Sequence, residues 1–168
     1  MGFSVTDPSN HQSENTWFTP RSVIEKLGVF DLDPCTVSFR PFDIAIEHIE
    51  RDLGECGLSI NWKNKRCFIN PPYGKEITPF IEKFIDEKPS GFMLIFARMG
   101  SKGVQKLIKN GAYVFCLRRR IIFIQKQGIK KTNAGTDSCL VFWNKDEIRF
   151  LSEIDGILIT LTESRRDG

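Results

Sequence analysis

The sequence predicts an α/β fold: one domain built on a mostly parallel, doubly wound sheet with a closing antiparallel hairpin. Three observations carry this expectation. Apolar runs of strand length alternate with helical patterns through the middle of the chain, as in β-α-β units. One apolar run ends in Asp31-Leu32-Asp33-Pro34 and another in Asn70-Pro71-Pro72-Tyr73, so two strands stop at stiff polar turns of the kind that border a ligand cleft. Residues 121–125 and 136–143 then read as an antiparallel pair.

With 168 residues, 40% of them hydrophobic and 27% charged, the chain can bury a core of its own as a soluble domain. A net charge of +3 permits nucleic-acid binding without demanding it. The five cysteines form no Cys-x-x-Cys pair, so reduced thiols in a cytoplasmic setting are expected. His11 and His48 are the only histidines, too few for a zinc cluster, and no metal is expected. No stretch reads as a targeting signal or a membrane span.

In chain order, residues 1–15 are small and polar and predict a loose arm, with the folded domain at 16–162 and a frayed tail at 163–168. Thr16-Trp17-Phe18-Thr19-Pro20 sets an aromatic pair before a helix start, with Thr19 as N-cap, Pro20 at the first helical position and Gly28 as the stop. The structural reading is a staple and cap. The functional reading is that Trp17, Thr19 and Pro20 border a site where free N–H groups hold an anionic ligand group. Residues 29–35 alternate apolar and acidic and predict a first strand that stops at Pro34. Asp31, Asp33, Pro34 and Cys35 then stand at a cleft where a carboxylate binds hydroxyls or an ammonium group, or else they are a plain acidic strand edge. Residues 42–49 predict a short helix, residues 54–58 a loop, and residues 66–69 a buried strand.

Asn70-Pro71-Pro72-Tyr73-Gly74 is the chemical centre of the sequence. Two prolines remove backbone donors and stiffen the exit from the sheet. The Asn70 side-chain carbonyl and the Pro71 backbone carbonyl are thereby left as acceptors, with Tyr73 as a stacking ring beside them. Such a set suits an exocyclic aromatic amine, whose two N–H groups it can hold while the ring packs on the base. An amine of that kind attacks a methyl sulfonium only when its lone pair is oriented, so the expected catalysis is positioning and electrostatics rather than base removal of a proton. The bland reading is a rigid turn.

Further on, Thr78-Pro79 predicts a helix start reaching residue 87, and residues 92–97 a strand covered on both faces with Arg98 at its exposed end. Ser101 caps a helix that stops at Asn110-Gly111, and residues 113–117 are a buried strand. Arg118, Arg119, Arg120, Lys126, Lys130 and Lys131 are the most basic stretch, either a solvated edge or a grip on phosphates. Residues 136–143 are expected to return against 121–125 around a substrate-facing loop at 127–135. A short surface helix at 145–153 and a last strand at 156–161 complete the chain.

Jointly, Thr19-Pro20, Phe30-Asp31-Leu32-Asp33-Pro34-Cys35, Gly57-Leu58 followed by Trp62, Asn70-Pro71-Pro72-Tyr73-Gly74 and Arg120-Ile121-Ile122-Phe123 make the chain resemble the phage N6-adenine DNA methyltransferases, the small Dam-like family. The resemblance runs from about residue 17 to residue 143. It implies a minimal Rossmann-like domain, S-adenosylmethionine as methyl donor, double-stranded DNA as partner, and a phage or prophage gene expressed in a bacterial host. It places Asn70, Pro71, Pro72 and Tyr73 at a flipped adenine, and Thr19, Pro20, Asp33 and Pro34 towards the donor, with Trp17, Asp31, Cys35 and Asn70 beside it. Arg98 and the basic stretch would face DNA. Asp33-Pro34-Cys35-Thr36 lacks the glycine of the wider class, and Cys56 stands where the family has an acid, so that if the acid binds ribose either donor affinity suffers or Asp52 or Glu55 substitutes. So little chain separates Asp33 from Asn70 that no separate target-recognition domain is expected, and sequence preference should be short or relaxed. Competing readings are methylation of RNA adenine or a glutamine amide, and a non-catalytic nucleic-acid-binding relative.

Overall fold

A computed structural model describes residues 16–125, 131–133 and 135–160. The arm at 1–15 and the tail at 163–168 lie outside them, as do Lys126 and Lys130. The main sheet has seven strands: β2 (Phe30–Thr36), β3 (Ala45–Glu50), β4 (Arg66–Ile69), β5 (Ser90–Phe96), β6 (Tyr113–Leu117), β9 (Ser138–Phe142) and β10 (Gly156–Ile159). Their order is β10-β6-β9-β5-β4-β2-β3. A smaller sheet of three strands joins β1 (Trp17–Phe18), β7 (Ile122–Gln125) and β8 (Lys131–Asn133) in the order β1-β7-β8.

Strands β3, β2, β4 and β5 run parallel. Strand β9 is antiparallel to both β5 and β6, and β10 is antiparallel to β6. The expected α/β sheet is therefore present but mixed rather than mostly parallel, three of its pairings being parallel and three antiparallel, and its antiparallel part is arranged differently from expectation. Alternate side chains of β4 and β5 feed two cores. Cys67, Ile69, Met93 and Ile95 meet α2 (Ile77–Glu87) and α3 (Lys102–Lys109) through Ile81, Phe84 and Leu107. Phe68, Phe92 and Leu94 join Leu27, Phe30, Phe123 and Leu151 on the other face. Each such side chain, fully buried, contributes roughly 1.5–3 kcal/mol.

The amino ends of β4 and β5 are tied by a buried ion pair. Arg66 Nη2 donates to Glu147 Oε2 at 2.6 Å and to the Leu27 carbonyl at 2.6 Å, while Glu147 Oε1 accepts from Gly91 N at 2.8 Å. The guanidinium also lies 4.1 Å from the Phe150 ring centroid and 4.5 Å from that of Phe30. Every polar atom of this node that is removed from water is matched, which is what keeps a buried pair tolerable.

Several local expectations are corrected. Residues 42–49 do not form a helix: β3 runs parallel to β2 with Leu32 opposite Glu47 and Asp33 opposite His48. Its charges and the exposed Ile46 suit an edge strand, whose outer side meets water. Residues 136–143 do not return against 121–125. Strand β9, with all five residues buried, takes a central place between β5 and β6, whereas β7, with Ile122 55% exposed, pairs with β8 and β1. Strand β2 continues through Pro34 to Thr36, with an irregularity in its register with β3 between Asp33 and Thr36.

Pro20, not Thr19, occupies the cap position of α1 (Arg21–Ile24), and no side chain caps it; a 3-10 turn continues to Leu27 and ends at Gly28 with φ 85°. Helix α2 begins at Ile77 after a 3-10 turn, which puts Thr78 and Pro79 inside its first turn, where proline is tolerated. The segment Lys145–Leu151 is 3-10 rather than α-helical. Ser101 caps α3 as expected, accepting from Val104 N at 3.3 Å. Among the described residues no helix is long and apolar enough to cross a membrane.

Candidate functional site

The winding of the sheet reverses beside β2. From β2 the chain moves outward to β3, then returns to the opposite side of β2 as β4. Such a reversal leaves a crevice outside the carboxyl ends of the strands, the usual ligand position in open α/β sheets. A narrow open cleft lies there, bounded by residues 16–19, by Asp33, Cys35 and Thr36 of β2, by Ile44 and Arg51, and by residues 70–73.

Asn70 follows the last residue of β4, and its amide orientation is set by its partners. Nδ2 donates to the Trp17 carbonyl at 2.8 Å. A carbonyl can only accept, so the Asn70 oxygen must face the other way. There it accepts from the Tyr73 hydroxyl at 3.2 Å. The Tyr73 ring packs face to face on Phe96 and meets the Trp17 ring edge-on at 6.5 Å. Burial pushes the Tyr73 phenol well above its ordinary pKa, which keeps it a hydrogen-bond donor. Asn70 Oδ1 was expected to be a vacant acceptor. One of its two lone-pair directions is engaged by Tyr73, and Tyr73 has one face covered rather than standing open as a stacking platform.

The opposite wall carries charge. Asp33 is 4% exposed, and its Oδ1 accepts from Cys35 N at 3.1 Å. Burial lifts its pKa to about 7, with the Cys35 N–H, Arg40 and Arg51 pulling the other way. Arg51, just past β3, donates from Nη2 to Thr16 Oγ1 at 3.1 Å. Thr19 is 1% exposed, and its hydroxyl has no hydrogen-bond partner among the described residues. A buried hydroxyl without a partner, on a wall shared with a carboxylate and a guanidinium, suits a ligand that is polar and carries both signs of charge.

The structure thus brings Trp17, Thr19, Asp33, Cys35, Asn70, Pro71, Pro72 and Tyr73 to one cleft. Other expected positions fall elsewhere. Asp31 is exposed near the start of β2, where its carboxylate accepts from Arg66 N at 2.7 Å, away from the cleft. Pro34 is buried, and its carbonyl abuts Gly57, where an added Cβ would sit 1.9 Å from that oxygen. Only glycine fits there, so the loop at residues 54–58 is pinned to the end of β2. Pro20 borders a neighbouring groove instead. Asp52 bonds Ser38, and Glu55 takes Glu50 N at 2.6 Å. Neither lines the cleft, and Cys56 is exposed.

Arg98 lies just beyond β5, its guanidinium 5.6 Å from the Phe96 ring. Arg118, Arg119 and Arg120 are exposed between β6 and β7; Arg118 lies 3.7 Å from Asp155 and Arg120 3.1 Å from Asp137. Lys131 opens β8. The sequence reading missed Thr16, Phe18, Thr36, Ile44 and Arg51. A strand assignment at 45–50 would have found Arg51, because it places residue 51 at the same carboxyl edge as Asp33 and Asn70.

Among the described residues no group of three His, Cys, Asp or Glu side chains could hold a metal ion. Comparison with known proteins gives one family: the model described as DNA N-6-adenine-methyltransferase (Dam) matches residues 8–165. No curated protein and no solved structure matches the chain.

Proposed function

The chain belongs to the DNA N-6-adenine-methyltransferase (Dam) family, and on that premise we propose how its own residues serve methyl transfer from S-adenosylmethionine to the N6 amine of adenine in double-stranded DNA. The cleft fits the donor on three counts: the unpartnered Thr19 hydroxyl, the buried Asp33 carboxylate and the Arg51 guanidinium. When bound, S-adenosylmethionine supplies a methyl group on a cationic sulfur. Asp33 answers positive charge on the ligand, Arg51 its carboxylate, and Thr19 a polar atom that would otherwise lose its bond to water.

Asn70 Oδ1 and the Pro71 carbonyl accept the two N–H groups of the target amine. That pull turns the nitrogen lone pair out of the purine's conjugation and aims it across the cleft, so orientation and fixed dipoles do the work of a base. Tyr73 is a positioning residue: its hydroxyl holds Asn70 while its ring is held by Phe96. The observation that carries this reading is the Asn70 amide, turned by the Trp17 carbonyl so that its oxygen faces away from Trp17.

We read residues 16–162 as one methyltransferase domain and Arg98, Arg118, Arg119, Arg120, Lys126, Lys130 and Lys131 as its phosphate-facing cations. Base readout in this scheme is short or relaxed, because only β3, a 3-10 turn, a loop and β4 lie between β2 and Asn70. The resemblance to the small Dam-like proteins further supports a phage or prophage gene acting in bacterial cytoplasm. A labelled-methyl assay on duplex DNA, RNA and total protein, with wild type and Asn70→Ala, tests the site. Transfer to DNA should vanish in the variant with the fold retained, and undiminished transfer would overturn the assignment.

A further inference from the structure

A second concavity adjoins the cleft, and nothing in the chemistry of the amine uses it. It is an open groove of about 720 Å³ between α1 with its 3-10 extension and the segment at 117–124. Arg21 and Lys26 stand on one wall and Arg119 and Arg120 on the other, above a floor of Ile121, Ile122 and Ile124. Ile122 is 55% exposed, so its side chain is open to a ligand in the groove.

Three of the four cations are loosely held among the described residues. Arg119 has no ion pair there, Lys26 Nζ donates to the Glu153 carbonyl at 3.1 Å, and Arg21 lies 3.8 Å from Glu25 and over the Phe42 ring, whereas Arg120 is engaged by Asp137 at 3.1 Å. Two acids, Glu153 and Asp155, also line the groove, and Asp155 is faced by Arg118 at 3.7 Å. The groove neighbours the cleft along the chain. Pro20 lines the groove and Thr19 the cleft, and β1 pairs with β7, with Phe18 opposite Ile124.

We propose that this groove is the track for one strand of the DNA duplex beside the flipped adenine, with phosphates between the two cationic walls and deoxyribose on the isoleucine floor. The match is one of charge and polarity. A nucleic-acid backbone alternates anionic groups with apolar sugar faces, and cationic walls over an apolar floor offer the complement. Helix α1 thereby becomes a DNA-contacting element, with Arg21 and Lys26 added to the cations on the β6–β7 side. The proposal rests on duplex DNA being the substrate.

The salt dependence of binding to a mixed-sequence duplex oligonucleotide tests it, with full-length chain and S-adenosylmethionine calorimetry as a second readout. Each phosphate contact removed should flatten the slope of log K against log salt by about 0.9. Arg21→Ala with Lys26→Ala should therefore lower it by about 1.8, and Arg119→Ala by about 0.9, with donor binding unchanged. Ile122→Ser should weaken duplex binding several-fold at an unaltered slope, and Glu153→Gln should tighten it. Wild-type slopes in the three cationic substitutions, with duplex binding intact, overturn the track alone. Wild-type chain that binds donor but no duplex overturns the substrate reading and the track with it. Selective binding of an acidic peptide in place of the duplex overturns the track as well.

Discussion

Tyr73 lies face to face with Phe96, ring centroids 4.1 Å apart and planes 12° from parallel. The stack is formed by a residue of the turn at 70–74 and the last residue of β5, so the ring is anchored in the sheet and its hydroxyl is delivered to Asn70. Tyr73→Phe keeps the stack and loses only that hydroxyl. We expect kcat to fall about 5- to 10-fold, the worth of one hydrogen bond, with donor affinity unchanged. Phe96→Ala should cost more, because it frees the ring. Steady-state kinetics on duplex DNA separates the two, and a wild-type kcat in Tyr73→Phe would remove the positioning role.

Asp33 predicts a pH profile. Its carboxyl titrates near pH 7 in the folded chain because burial penalises the charged form. A cationic ligand favours the ionised state, so donor affinity should rise with pH and level off above about 7, falling roughly tenfold per unit below it. For folding the sign is reversed. A carboxyl raised from 3.8 to about 7 holds its proton more tightly when folded, so its contribution is full below about 4 and is lost as pH climbs to about 7. Asp33→Asn should flatten the calorimetric profile, weaken donor binding at alkaline pH and raise Tm there. Unchanged affinity and profile would exclude Asp33 as a donor contact.

Arg51 couples to the same titration. Its charge lowers the Asp33 pKa, against the larger effect of burial. Arg51→Met retains the stem and removes the charge, and should weaken the donor about 10- to 100-fold, as expected for a charged hydrogen bond. It should also move the midpoint of the donor-affinity profile to higher pH. A variant that loses affinity with no movement of that midpoint would show that Arg51 acts on the ligand without reaching Asp33.

The Arg66–Glu147 pair predicts a stability effect without a catalytic one. Both partners sit at the amino ends of the strands, away from the cleft. Glu147→Ala strands a buried guanidinium and should destabilise the fold by about 3–5 kcal/mol, measured by denaturant unfolding. The folded fraction should keep its kcat. Converting both residues to apolar ones of similar volume should recover much of the loss, because no uncompensated charge then remains.

The parts of the site that the sequence disclosed are those written in local covalent terms. Asn70-Pro71-Pro72 and Asp33-Pro34 constrain their own backbone, so a stiff turn at the end of an apolar run could be read without knowing any partner. The fold class followed from the buried runs at β4, β5 and β6. Strand β3 was misread because Ile44, Ile46 and Ile49 are scattered among acids without a clean period, and its edge position never demands one. The place of β9 depended on which distant strand it pairs with, something its buried residues do not encode. Arg51 and the loss of one Tyr73 face to Phe96 were invisible for the same reason: each arises from contacts between segments far apart along the chain.

Strand β1 is only two residues long, yet it has two obligations. Trp17 is in register with Gln125 of β7 and lends its carbonyl to the Asn70 amide. Side chains and carbonyls alternate along a strand, so a slip of one residue would swing that oxygen away and exchange the indole for the phenylalanine beside it. Seating of the β7–β8 hairpin and alignment of the Asn70 amide are thus geared together, and an enzyme so built would idle whenever the two fall out of step.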